Sequence, residues 1–318
     1  MCGGSKQPAL RIYHSFIYRY IVLVELLVCI REDIESSPIN PNLKLSQIVD
    51  KNYAEGYNQS SIYSMEGIMS YKYKTELHCH TKHVSRCAGH DAQGIVEAYL
   101  RAGYTSIVIT EHLAAGTFVN MQDKSLEEQM EHFVQGYRRV KEAAKGRLHV
   151  LMGAEVNFAG SLSTDYLIYG LEEEFYHRCP DVYTQNKYWT ASLVRNNGGV
   201  FIQAHPFRTN CAVTEDFVLD GIEVWNGHPF QKNHNRISRE FAKDYPQYIL
   251  TSGGDHHDDV MEPCAGILTK EPIVSEKQLS EVLRSRDFRL ICDREARERS
   301  REEEKRRERA REEARLGK

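Results

Sequence analysis

Seven residues in this 318-residue chain are of types that bind divalent metals: His78, His80, His112, Glu155, His205, Asp255 and His257. Neutral imidazoles suit Zn²⁺, Fe²⁺ or Mn²⁺, and carboxylates add negative charge and can bridge two ions. A His-x-His pair alone is commonly two unrelated polar residues, and so is Asp-x-His. Seven candidates, however, exceed what one tetrahedral ion needs, so their convergence would make a centre of two or three ions. Asp165, His90, Cys87 and His83 stand as further possible ligands, with His256 ambiguous between ligand and surface residue. Asp255 and His257 are the candidates for moving a proton. Arg208, three residues beyond His205, can grip a phosphate with its planar fork. Lys82 and Arg86, close behind His80, are candidates to line the same mouth.

The positions of these residues suggest what brings them together. Short apolar runs at 75–78, 106–110, 150–154, 166–169, 200–204, 221–225 and 248–251 read as strands. His78 and His80 fall where the first ends, His112 follows the second, and Glu155 ends the third. His205 follows 200–204, and Asp255 and His257 come just after 248–251. Between the strands lie amphipathic stretches such as 126–144, opened by a Ser125/Glu128 capping box, and a second box at Ser275/Gln278. Alternating strands and helices imply a largely parallel sheet, covered or closed into a barrel. In such barrels catalytic groups converge on the rim formed by the strand ends.

Three regions differ in composition. Residues 1–70 form an N-terminal extension without this alternation, 73–292 carry the pattern, and 293–318 are almost purely Arg and Glu. The tail reads as a solvated charged helix laced by pairs such as Glu302 with Arg306. Eleven basic and nine acidic side chains leave it at +2, too balanced for a nucleic-acid arm. The chain as a whole is at −4, so its charge demands neither a nucleic acid nor an anionic membrane. The apolar stretch 16–30 is interrupted by Arg19 and Glu25 and is too short to span, so no stable membrane insertion is expected. Eight cysteines without CxxC or framework spacing point to a reducing cytoplasm.

Five short motifs, in this order, resemble the PHP (polymerase and histidinol phosphatase) domain family. They are Glu76-Leu-His78-Cys-His80-Thr81, Ile109-Thr-Glu111-His112, Gly153-Ala-Glu155, Ala204-His205-Pro206 and Gly253-Gly-Asp255-His256-His257. The match runs from Glu76 to about Ile291. The resemblance implies a distorted (β/α)7 TIM-like barrel with two or three divalent ions (Zn, Mn or Fe) at its rim. It would give His78, His80, Glu155 and Asp255 to a first ion, Glu155 and His205 to a second, and His112 and His257 to a third. It also marks the segment Gly221 to Asn226 and Asn235 as shaping the pocket. Many members carry a further His or Asp after the first motif, where this chain has Cys87 and His90. Many also carry His where this chain has Asp165.

Such a centre activates water and orients a phosphate ester for attack, so metal-dependent phosphoester hydrolysis is the expected activity. A small phosphorylated metabolite, a nucleotide or a short oligonucleotide are the expected substrates. The alternatives are a metal-dependent amide hydrolase and a non-catalytic, metal-stabilised binding module. No Gly-rich phosphate loop is present, which argues against a nucleotide motor or a hydride-transfer enzyme.

Overall fold

The computed structural model describes residues 71–160 and 164–315, so the extension 1–70 and the stretch 16–30 within it lie outside the described residues. Strand β1 (Tyr73–Cys79) and helix α1 (Ala92–Arg101) lead into β2 (Tyr104–Ile109) and the two-residue β3 (His112–Leu113). Helices α2 (Leu126–Phe133) and α3 (Gln135–Ala144) precede β4 (His149–Met152) and β5 (Ala154–Asn157). Then come β6 (Asp165–Tyr169), α4 (Glu173–Arg178), α5 (Lys187–Asn196), β7 (Val200–Gln203) and β8 (Gly221–Asn226). Last are α6 (Asn235–Ala242), β9 (Ile249–Gly253), β10 (Ala265–Thr269), α7 (Glu276–Ser285), β11 (Arg289–Cys292) and α8 (Arg294–Arg315).

The strands form two sheets, in the orders β11-β10-β1-β2-β4 and β3-β5-β6-β7-β8-β9. A parallel bridge between Cys79 and His256 joins β1 to the chain leaving β9. On the other side the chain itself passes from β2 to β3 and from β4 to β5, with Gly153 N–H bonded to Ile109 O at 2.9 Å. The ring therefore has seven staves, β1, β2–β3, β4–β5, β6, β7, β8 and β9, a distorted TIM-like barrel of the expected class. Strand residues alternate between two packing sets. Val108, Leu151, Leu167, Val200 and Ile202 share one cluster, which Leu279 and Leu283 of α7 join. Their neighbours Ile107, Ile109, Val150, Ile168 and Phe201 pack with Ile95, Tyr99, Met130, Phe133 and Val140 of the helices.

Several local expectations are corrected. The run 150–154 is not one strand: it breaks at Gly153, and Glu155 lies inside β5 in the second sheet rather than just beyond a strand. Gly153 makes the crossing possible, because a Cβ there would lie 2.8 Å from Val108 Cγ1. The stretch 126–144 divides at Val134 into α2 and α3, although the Ser125/Glu128 capping box forms with both its bonds. At Ser275 only half the box forms, since the Gln278 side chain accepts from Val274 N–H instead. Strand β6 runs antiparallel to both β5 and β7, so its first residue, not its last, reaches the rim.

Helix α8 also departs from a simple solvated tail. Its distal turns are exposed, but Ala296 and Ser300 are buried, with Ala296 packed beside Trp225 and Cys264. Ser300 Oγ accepts from Glu262 N–H at 2.9 Å, Arg299 pairs with Glu262 at 2.7 Å, and Arg297 donates to His228 O at 3.0 Å. The first turns thus hold two rim loops. Among the described residues no helix is long and apolar enough to cross a membrane.

Candidate metal centre

All seven candidate ligands converge on the rim, in three overlapping groups whose ligand atoms lie within 4.8 Å of one another. One group is His78, His80, Glu155 and Asp255; a second is Glu155, Asp165 and His205; a third is His80, His112 and His257. Pairing of β3 with β5 sets His112 directly against Glu155. Inversion of β6 brings Asp165 to the same place, opposite Asn157 of β5, whose amide donates to its carboxylate at 2.8 Å.

Hydrogen bonds fix which ring nitrogens face inward. His78 Nδ1 lies 3.0 Å from Glu223 Oε1, and a carboxylate can only accept, so that nitrogen carries the proton. By the same reasoning His257 Nδ1 donates to Asp255 O at 2.8 Å. His80 Nδ1 is 3.2 Å from Ser85 Oγ, whose own proton goes to Glu111 Oε2 at 2.5 Å. In each ring Nε2 is thus the nitrogen left for a ligand role. His78 Nε2 and His80 Nε2 are fully buried and have no hydrogen-bond partner. They approach Glu155 to 3.3 Å and Asp255 to 3.5 and 3.4 Å without hydrogen-bond geometry. Buried polar atoms are rarely left so, and carboxylates flanking imidazole nitrogens fit divalent cations.

The electrostatics agree. Burial opposes ionisation of Glu155 and Asp255, yet His78 and His112 beside Glu155, and Arg208 and His78 beside Asp255, hold both carboxyl groups well below their ordinary range. Burial and the nearby Glu155 push Asp165 up. Burial disfavours charge on His205, as does Arg208, but Cys211 and Glu155 carry its pKa up to about 9. Burial and His80 push His257 down to about 3. His205 and Asp255 adopt φ of +28° and +50°. Left-handed backbone costs a non-glycine residue about 1–2 kcal/mol, and such strain gathers at functional sites.

Of the other sequence candidates, Arg208 is at the centre. Its guanidinium bonds Asp255, Asn226 at 3.1 Å and Asn233 at 2.8 Å, and it lines a cavity of about 520 Å³ with Asn157, Asp165, Thr209, Asn210 and Gln231. Lys82 and His83 are corrected: Lys82 pairs with Asp91 at 3.0 Å, and both line a separate surface cavity beside Arg139. His90 joins none of the three groups and instead faces His256, ring nitrogens 2.8 Å apart. Arg86 and Cys87 are exposed at the tip of the loop after β1. Supporting residues that sequence reasoning gave no role are Ser85, Glu111 and Glu76. Glu76 accepts from His78 N–H at 2.9 Å, Gly254 N–H at 2.7 Å and Tyr99 OH at 2.9 Å, tying the first motif to the last. Its position two residues before His78 was the available signal.

The sequence matches no family profile and no curated protein. Solved structures do match. One is a two-domain protein from Bacteroides vulgatus containing a predicted PHP-like metal-dependent phosphoesterase, with TM-score 0.53 and 15% identity over 70% of this chain. The chain covers 66% of that protein's length. The chain has a PHP-like fold. PsfC from Pseudomonas syringae shares it, with TM-score 0.52 and 13% identity, over 71% of this chain and 94% of PsfC. Within the PHP-like fold the three ligand groups occupy the barrel rim, where the strand ends meet.

Proposed function

We propose that the chain is a metal-dependent phosphoesterase of the PHP family, hydrolysing a phosphate ester at the rim. The observation that carries this reading is the joint burial of unpartnered imidazole nitrogens and two ionised carboxylates in three groups able to hold two or three ions. His78, His80, Glu155 and Asp255 would hold one ion, Glu155, Asp165 and His205 a second, and His112 and His257 a third. Bound there, Zn²⁺, Mn²⁺ or Fe²⁺ would polarise a phosphoryl oxygen and activate water. Asp255 and His257 would serve there as ligands and remain the candidates for moving a proton, His257 with its Nδ1 committed to Asp255 O. Arg208 borders both the Asp255 carboxylate and the open cavity. Once cations screen Asp255, its guanidinium can turn to a substrate phosphate. The cavity of about 520 Å³ suits a small phosphorylated metabolite, a nucleotide or the end of a short oligonucleotide. Among the described residues Cys79, Cys87, Cys179, Cys264 and Cys292 are free thiols, which favours the cytoplasm as the setting.

The test is release of phosphate from a panel of phosphoesters by protein reconstituted with Mn²⁺, Zn²⁺ or Fe²⁺. Turnover of neutral amides without phosphate release would replace this reading. On the best substrate, Arg208→Ala should keep its metal but lose about ten- to a hundredfold in kcat/KM, the loss of one charge-assisted contact. Arg208→Lys should recover only part, since an ammonium lacks the fork. Unchanged kcat/KM in the alanine variant removes Arg208 as the phosphate clamp.

A further inference from the structure

We propose that His228 is a second phosphate-gripping residue, its Nε2–H donating to a substrate phosphate beside the Arg208 guanidinium. The inference rests on the phosphoesterase reading of the rim and supplies a partner for the single guanidinium there. Arg208 commits Nε to Asn233 Oδ1 at 2.8 Å and Nη2 to Asn226 Oδ1 at 3.1 Å. That leaves Nη1, and the Nη2 hydrogen aimed at Asp255, to turn to an anion. A phosphoryl group presents several strongly accepting oxygens and takes further donors.

The loop after β8 fixes which ring nitrogen of His228 carries the proton. Phe230 N–H donates to Nδ1 at 3.2 Å, and a backbone amide can only donate. Nδ1 is therefore the acceptor of a neutral ring, and the proton is on Nε2. This reverses His78 and His257, whose Nδ1 carries the proton. His228 thus presents a donor where those rings present a ligand atom, and it belongs to none of the three ligand groups. Among the described residues nothing hydrogen-bonds its Nε2, and the ring is half-buried, open to the rim on one side.

Its placement ties this donor to Arg208. Asn226 Oδ1, which takes Arg208 Nη2, also accepts from His228 N–H at 3.1 Å. Asn233, which takes Arg208 Nε, also donates from Nδ2 to His228 O at 3.3 Å. Both asparagines are buried, and Arg297 of α8 donates to the same His228 O at 3.0 Å. Two donors are thus built on one buried pair of amides. They also flank one pair of ligands, since Arg208 bonds Asp255 and the His228 ring centroid stands 5.3 Å from that of His257. Asp255 is not the acceptor of the His228 proton: its Oδ2 takes Arg208 and Asn226, and its Oδ1 faces His78 and His80. A guanidinium and an imidazole N–H beside a metal centre recognise an oxyanion drawn to the ions.

The full chain tests this, loaded for kinetics with the metal that gives most turnover and for NMR with zinc. His228→Phe keeps a flat ring against His257 and removes the donor, whereas His228→Gln keeps an N–H near the Nε2 position. On the best phosphoester, the phenylalanine variant should raise KM about ten- to a hundredfold, and the inhibition constant of inorganic phosphate by the same factor. Its kcat and metal content should stay close to wild type, because the contact is made to the phosphate in ground and transition states alike. His228→Gln should recover most of the loss. In the wild type, the Nε2–H proton of His228, assigned by its disappearance in the glutamine variant, should move downfield when inorganic phosphate is added. Unchanged KM and phosphate inhibition in the phenylalanine variant, or an Nε2–H resonance indifferent to phosphate, overturns the inference alone. So does a glutamine variant no better than the phenylalanine one, and so does loss of metal from the latter, which would make His228 a support for His257. A wild type that takes up metal but neither hydrolyses a phosphoester nor binds inorganic phosphate overturns the phosphoesterase reading as well.

Discussion

Glu155→Gln should strip the centre of metal and lower kcat/KM by on the order of a thousandfold or more, the consequence of losing several kcal/mol of charge stabilisation. The residue sits where the groups overlap, 3.3 Å from His78 and His80 and 2.9 Å from His112 and His205. Glutamine keeps the shape and removes the charge. It also turns an amide N–H₂ toward ring nitrogens that need cations, so the fold should survive while the ions do not. Glu223→Gln provides the scale. Glu223 touches His78 Nδ1 and His205 N–H, at 3.0 Å each, but belongs to no ligand group, and losing such an orienting carboxylate costs about ten- to a hundredfold. Metal content by elemental analysis, with kinetics on the same preparations, separates the two. A Glu155→Gln enzyme with full metal content and activity within tenfold of wild type would place the chemistry elsewhere.

Gly266→Ala should cost about 3 kcal/mol or more of stability, read as the shift in chemical denaturation. Gly266 lies in β10 at φ +123°, and a Cβ there would stand 2.1 Å from Thr75 O and 3.2 Å from Glu76 Cα. Those are backbone atoms of β1, which a rotamer change cannot move. To admit the methyl group, β10 must draw away from the strand that carries His78, so metal affinity should fall along with stability. Gly103→Ala is the control. It also has positive φ, +75°, but nothing lies within 4 Å of its Cβ, so only the conformational cost of about 1–2 kcal/mol applies. Equal losses at the two positions would show that backbone conformation, not the contact with β1, dominates.

How much of this was legible before the fold was known depends on what each residue needed. His78, His80, His205, Asp255 and His257 were legible because a parallel strand delivers its last residues to one rim, and their types are rare in apolar surroundings. Glu155 and His112 were legible as ligands but not as a cross-strand pair, since nothing in the run 150–154 announces that the chain changes sheets at Gly153. Asp165 was ambiguous for a related reason. Its position at the start of a strand would put it on the far face of a parallel barrel, and only the reversal of β6 brings it to His205. Lys82 was misread because sequence proximity to His80 ignores the direction of the turn, which aims it at Asp91. The docking of α8 was hidden as well. Two small residues one turn apart, Ala296 and Ser300, suffice to seat it, and no apolar stripe marks them.

The mutual charge stabilisation at the rim has a consequence for loading. In chelated protein, carboxylate neighbours keep His78 and His112 protonated well above the ordinary imidazole range, and His205 up to about 9. Protons thus stand in for cations, and each incoming ion must expel them. Apparent metal affinity should therefore climb with pH from neutrality through about 9, where His205 loses its proton, with acid released into an unbuffered solution as zinc is added. An affinity that does not vary over that interval would mean the imidazoles were already bare. Uptake and acidification are then two faces of one exchange, and the pH of the compartment, as much as its metal supply, sets how full the centre is.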